Sequence, residues 1–165
     1  MARVGFEAVI LGQMIIVTMN TPLETSMLIN YVEAIETIIA SLDQENSAFV
    51  STSQNGHLWK FKYGSVDVFV QLTGDSEEDT FTVWSPILQL PVAEEQKLLR
   101  RLMEMNWLDT LEARFGIFKQ QVVVVTSRTV ADLSAGELTH LITIVAAIAD
   151  EHDESLQAEF PTFQA

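Results

Sequence analysis

The stretch HLWKFKYGSVDVFVQL, residues 57–72, decides the architecture. Two runs that alternate large apolar and polar residues flank Gly64-Ser65. Alternation on both sides of a two-residue glycine turn is the signature of an antiparallel hairpin. The register follows from the turn. Tyr63 faces Val66, Phe61 faces Val68 and Trp59 faces Val70, so one side of the hairpin is continuous core. On the other side Lys62 faces Asp67, an opposite-charge cross-strand pair worth about 0.2–1 kcal/mol. Turn and charge pairing agree on one register.

Upstream, Ser26 is positioned to cap a helix from about Met27 to Leu42. Leu28, Tyr31, Val32, Ile35, Ile38, Ile39 and Leu42 form its apolar stripe, with Glu33 and Glu36 opposite. SAFVSTS (47–53) reads as a short strand closed by Asn55-Gly56, a strong turn pair. Downstream, the acidic loop TGDSEEDT (73–80) leads to FTVWS (81–85), and Pro86 and Pro91 bracket ILQL. A helix follows from about Val92 to Leu108, with Leu98, Leu99, Leu102 and Met103 placed on one side. A second hairpin pairs ARFGIFK with VVVVTSR. Ser134 and Glu137 form a capping box ahead of a long last helix, whose stripe is Leu138, Leu141, Ile142, Val145, Ile148 and Ala149. The order α-β-β-β-α-β-β-α predicts an α+β domain, an antiparallel five-stranded sheet with three helices. The domain is placed at residues 26–157, with 1–25 as an extension outside the core fold and 158–165 as a tail.

Four consecutive valines, Val122 to Val125, are apolar on both faces of a strand, while a half-buried sheet needs only one apolar face. A turn centred on Gln120-Gln121 sets Phe118 opposite Val123 and Ile117 opposite Val124. Phe115, Ile117, Val122 and Val124 then face the core. If Leu72 faces Phe81 across the acidic loop, Trp84 lies opposite Phe69. The second face of the sheet would hold Phe69, Trp84, Phe118, Val123 and Val125, edged by Lys60, Lys62 and Arg114. These five are the candidate partner-binding residues, because a patch of that content is larger than monomers leave open. Three covers are compatible with the pattern: the chain's own middle helix, an identical subunit or a different polypeptide.

The totals narrow the function classes. The chain has 165 residues, 48% of them apolar, enough to bury a core without staples. There are no cysteines, which removes disulfides, thiolate nucleophiles and cysteine metal sites and allows a reducing compartment. The net charge of −14 opposes binding to nucleic acid and to anionic membranes. All basic residues except Arg3 lie between 60 and 128, so the first and last helices are acidic. MARVGFEAVILGQMIIVT (1–18) carries one arginine and an apolar run, but Glu7 and Gln13 interrupt it, no cleavage site follows, and it is too short and mixed for a span.

No catalytic constellation stands out. The three histidines, His57, His140 and His152, lack zinc spacing, and DEHDE (150–154) reads as a solvated helix end. DSEEDT (75–80) has alternating acids but lacks the glycine and bidentate glutamate of a calcium loop. No phosphate loop, dinucleotide fingerprint or nucleophile elbow is present. The expectation is a non-enzyme with no catalytic residue, no cofactor and no metal. Phe160 and Phe163 in the tail are positioned either to dock on the body or to fray with it.

WKFKYGSVDVFVQL, FTVWSPILQLP, LLRRLMEMNW, EARFGIFKQQVVVVTSR and LSAGELTHLITIVAAIAD together resemble the YbjN family of bacterial proteins, which are labelled sensory transduction regulators. The specific points are the SPILQLP strand exit, Asn106 ending the middle helix, the ARF strand start and the last helix. The likeness covers about residues 26–153 and implies a type III secretion chaperone-like fold. Proteins of that fold are typically small acidic homodimers that bind extended segments of other proteins. The resemblance supplies no catalytic residues and does not fix the function. The reading is thus a cytoplasmic, non-enzymatic protein-binding module, chaperone-like or regulatory and homodimeric. It has no nucleic-acid or membrane partner, and its partner is a client or regulatory protein. The alternative is a small-ligand sensor with a pocket between the first helix and the sheet, around Tyr31, Trp59 and Tyr63.

Overall fold

The computed structural model describes residues 30–53 and 56–162. In chain order the elements are α1 (Tyr31–Leu42), β1 (Phe49–Ser53), β2 (Gly56–Tyr63), β3 (Val66–Leu72), β4 (Thr80–Gln89), α2 (Glu95–Leu108), β5 (Arg114–Phe118), β6 (Gln121–Thr129) and α3 (Ala135–Glu159). The strands form one antiparallel sheet in the order β1-β2-β3-β4-β6-β5. It has six strands where five were predicted. Phe49–Ser53 pairs with β2 along its whole length, and the segment after the acidic loop, Thr80–Gln89, is a full strand too, so four strands and not three precede α2.

The β2–β3 register is found pair for pair as read, and β4 joins with Leu72 opposite Phe81 and Phe69 opposite Trp84. The β5–β6 register differs. Its turn is Lys119-Gln120, both at positive φ (48° and 62°), and Phe118 pairs with Gln121. Val123 therefore faces Gly116, not Phe118, and Val124 faces Phe115, not Ile117. A two-residue turn with both φ positive matches the strand twist, but Lys and Gln do not advertise it. The slip is two residues, and side chains alternate with period two, so each residue keeps its side of the sheet, but Ile117, read as core, is 54% exposed because β5 is the sheet edge.

β4 does not stop at Ser85. It continues through Pro86 to Gln89, with the register shifting between Pro86 and Leu88. The extra residue, Ile87, sits in a bulge, a place where a strand tolerates proline.

α1 and α3 lie across one face of the sheet and enclose the core, with Phe61, Leu72, Phe81, Ile35 and Leu138 among its fully buried side chains. The cap of α1 is Asn30, whose side-chain oxygen accepts the Glu33 N–H at 3.2 Å. Asn caps as well as Ser. Ser26, Met27 and Leu28, and also Asn55 of the predicted β1–β2 turn, lie outside the described residues.

α3 carries the predicted Ser134–Glu137 capping box and runs to Glu159, past the acidic run that reads as a helix end. Three of its acids, Asp150, Asp153 and Glu159, have tertiary partners. Asp150 accepts the Ser65 N–H at 2.7 Å and the Ser65 hydroxyl at 2.9 Å, while buried Asp153 accepts that hydroxyl at 2.8 Å. Glu159 pairs with Lys97 and Arg101 of α2. Phe160 is fully buried under the Lys97 ammonium, and Thr162 bridges Val92. Phe163 lies outside the described residues.

α2 begins at Glu95 and differs from its reading in two ways. Leu98, Leu102 and Met105 are buried in the core, whereas Leu99 and Met103 face outward. Asn106 does not end the helix, which continues to Leu108. Its side chain instead accepts the Phe115 N–H at 2.6 Å and donates to the Phe115 carbonyl at 3.3 Å. β5 is an edge strand, so the Asn106 amide takes the place of a missing neighbour.

Candidate binding surface

The opposite face of the sheet has no described helix over it. One rung crosses all six strands there: Phe49, Lys60, Phe69, Trp84, Val125 and Arg114. Because Cβ atoms alternate along each strand, this rung puts its side chains on one side. Phe69 stacks on Trp84 with centroids 5.3 Å apart and an 11° tilt, and Phe118 meets Trp84 edge-on at 6.5 Å. The Phe118 ring is 48% exposed, while Phe69, Trp84 and Val125 are half-buried. The three aromatic rings thus form a continuous apolar row in contact with solvent.

Val123 lies on this face but is not accessible, at 3% exposure. It sits between Pro86 and Gly116 in the sheet, and it and Val125 flank the bare Gly116 backbone. Of the five residues predicted to touch a partner, Val123 is therefore floor, and the other four offer surface.

The charges around the row are basic. Lys60 Nζ lies 2.9 Å from Asp67 and 5.6 Å from the Phe69 ring centre, and Lys62 shares Asp67 at 4.0 Å. The Lys119 ammonium stands 5.1 Å over Phe118, and Arg114 is exposed.

A second apolar surface was not read from the sequence. Leu99, Met103 and Trp107 follow at i, i+4 and i+8 on the outer side of α2, and with Arg100, Glu104 and Leu108 they line one open depression. Trp107 is 86% exposed. The signal was present as a second helical stripe beside Leu98 and Leu102, but both stripes were merged into one side.

The remaining candidates are dispersed. His57 stacks on Trp59 beside the Thr52 hydroxyl, His140 meets Glu112 at 3.1 Å, and His152 packs edge-on to Phe115. Among the described residues, no three His, Asp or Glu side chains converge as a metal set would. In the acidic loop Asp79 turns inward. It accepts from the Ser76 hydroxyl and N–H and from the Thr73 hydroxyl, which hold its carboxyl below the usual range. The space assigned to a ligand near α1 is packed. Trp59 is in the core, Tyr63 packs against it, and Tyr31 donates to the Val130 carbonyl.

A helix-backed antiparallel sheet with its aromatic face open is an α+β fold, chaperone-like in its arrangement. Among solved structures it is similar to one described as "Crystal Structure of the ExsC-ExsE Complex", at 13% identity, over 74% of this chain and 92% of that chain, with a TM-score of 0.54. At that identity the likeness speaks for the fold. No curated protein matches the chain in sequence. The family model YbjN, described as "Putative bacterial sensory transduction regulator", matches residues 31–158, and the chain belongs to that family. Among the described residues no helix is long and apolar enough to cross a membrane.

Proposed function

We propose that the protein is a non-enzymatic protein-binding module of chaperone-like or regulatory type, a cytoplasmic homodimer that holds an extended segment of another polypeptide on its open sheet face. The observation that carries this reading is the solvent-facing row Phe69–Trp84–Phe118 on a sheet whose other face packs against α1 and α3. The similar solved structure is itself described as a complex, which supports a protein as the occupant.

The second copy belongs on α2. A Leu99–Met103–Trp107 stripe exposed on a helix is the content of an interface core. In an antiparallel two-fold pairing centred near Met103, Leu99 of one copy meets Trp107 of the other, and Arg100 and Glu104, both on the rim, approach with opposite charge. The two surfaces lie on different elements, so a dimer leaves the sheet face free.

Two substitutions separate the roles. Trp107→Asp should lower the solution mass from dimer to monomer with unchanged circular dichroism. Phe118→Asp should keep the dimer and lose affinity for a reduced, carboxymethylated client protein. A wild-type monomer at micromolar concentration would remove the dimer, and equal client binding by wild type and Phe118→Asp would remove the sheet face.

A further inference from the structure

We infer that the segment taken by the open sheet face is an acidic one, with apolar residues between two carboxylates spaced about six residues apart. The inference rests on the docking role proposed above and specifies its ligand. Its basis is a local inversion of charge. The whole chain carries −14, yet the strand residues on this face include three bases, Lys60, Lys62 and Arg114, against the single acid Asp67. Lys60 and Lys62 share that one carboxylate, so their end of the row keeps one uncompensated positive charge. At the other end Arg114 has no side-chain partner among the described residues, and Lys119 only covers the Phe118 ring. The cations bracket the aromatic rings.

The spacing follows from sheet geometry. Lys60 and Arg114 stand on β2 and β5, four strand intervals apart in the rung. At about 4.8 Å per interval the distance is about 19 Å, which an extended chain at about 3.3 Å per residue covers in about six residues. In such a chain residues i, i+2, i+4 and i+6 share one side. An acid at i then meets Lys60, an apolar side chain at i+2 settles between Phe69 and Trp84, another at i+4 lies over Val125, and an acid at i+6 meets Arg114. A phosphate polymer could supply negative charge too, but its uniform charge is repelled by the rest of the molecule and leaves the rings without apolar partners.

The test uses fluorescent synthetic peptides and the full chain. The first has a Asp-Ser-Leu-Ser-Leu-Ser-Asp core, the second has both Asp replaced by Lys, and the third has one Asp moved by a single position to the opposite side. The first should bind about tenfold tighter than the second at low salt, since two exposed charge contacts reverse sign. That advantage should shrink as salt is raised. It should vanish in Arg114→Glu, an exposed position where the fold is not at stake, because one end then favours each peptide and the other repels it. The third peptide should bind more weakly than the first. Equal affinity for the Asp and Lys peptides, lost for both in Phe118→Asp, would overturn the acidic preference and leave the docking face standing. Equal affinity for the first and third would overturn the crossing geometry. No binding of any peptide by the folded dimer would overturn both readings. Tighter binding of a single-stranded oligonucleotide than of the first peptide would overturn the polypeptide ligand.

Discussion

Asn106→Ala should destabilise the protein by about 2 kcal/mol while leaving its fold and its denaturant slope unchanged. The side chain accepts the Phe115 N–H at 2.6 Å and donates to the Phe115 carbonyl at 3.3 Å. Phe115 is 6% exposed, so water cannot fully replace either partner. Leaving a buried backbone group unpaired costs about 1–3 kcal/mol. The first bond is short and its loss should come near the middle of that range. The second is long, and its loss should add little. The measurement is urea denaturation, with hydrogen exchange of the Phe115 amide as a local readout. That amide should exchange faster in the variant, because β5 loses a group at its outer edge that imitates a neighbouring strand. Asn106→Asp separates the two bonds, since an ionised carboxylate keeps the acceptor and loses the donor. It should cost less than alanine at neutral pH. A change below about 0.5 kcal/mol for Asn106→Ala, with unaltered exchange at Phe115, would refute the bridging role and with it the fixed placement of α2 against the sheet edge.

Three further substitutions probe other joints. The Glu137 carboxyl is held at about 2 by the Ser134 N–H first, then by Arg128 and the Ser134 hydroxyl. Its folded value lies below the ordinary 4.5, so its contribution is complete above that value and is lost as pH falls toward 2. The melting-temperature gap between wild type and Glu137→Gln should accordingly be present at neutral pH and close in acid; a gap independent of pH would sink the assignment. Gly64 adopts φ 52°, and a Cβ there would fall on the Asp150 carboxylate that holds Ser65, so Gly64→Ala should cost about 1–2 kcal/mol, read by thermal melting. Phe160→Ala should cost about 3–5 kcal/mol, because the ring is 1% exposed; a loss under 1 kcal/mol would show that the end of α3 is dispensable.

Much of the sheet was legible because its information is local. Gly64-Ser65 and the alternation around it fix β2 against β3, and the same parity carries across to Trp84 opposite Phe69. The β5–β6 turn was misplaced because Lys119 and Gln120 take positive φ without being Gly or Asn, so no residue type marked it. Burial on the open face was equally illegible. Val123 and Val125 look alike in the sequence, but only Val123 is closed off, between Pro86 and Gly116. The long α3 was cut short in the reading because five residues of DEHDE look like a terminus until Ser65 is brought beside Asp150 and Asp153.

Composition and periodicity alone establish an acidic α+β chain with an antiparallel sheet, two apolar sheet faces and no disulfides, since charge, cysteine count and side-chain alternation are properties of the chain itself. Which apolar surfaces stay open is a tertiary matter. α2 carries two stripes of similar hydrophobicity, and helical periodicity scores them equally. Only the docking of Leu98, Leu102 and Met105 into the core, with Asn106 bound to β5, turns Leu99, Met103 and Trp107 outward. That same placement keeps α2 off the open face of the sheet and leaves Phe69, Trp84 and Phe118 uncovered, because a helix can bury only one of its faces at a time.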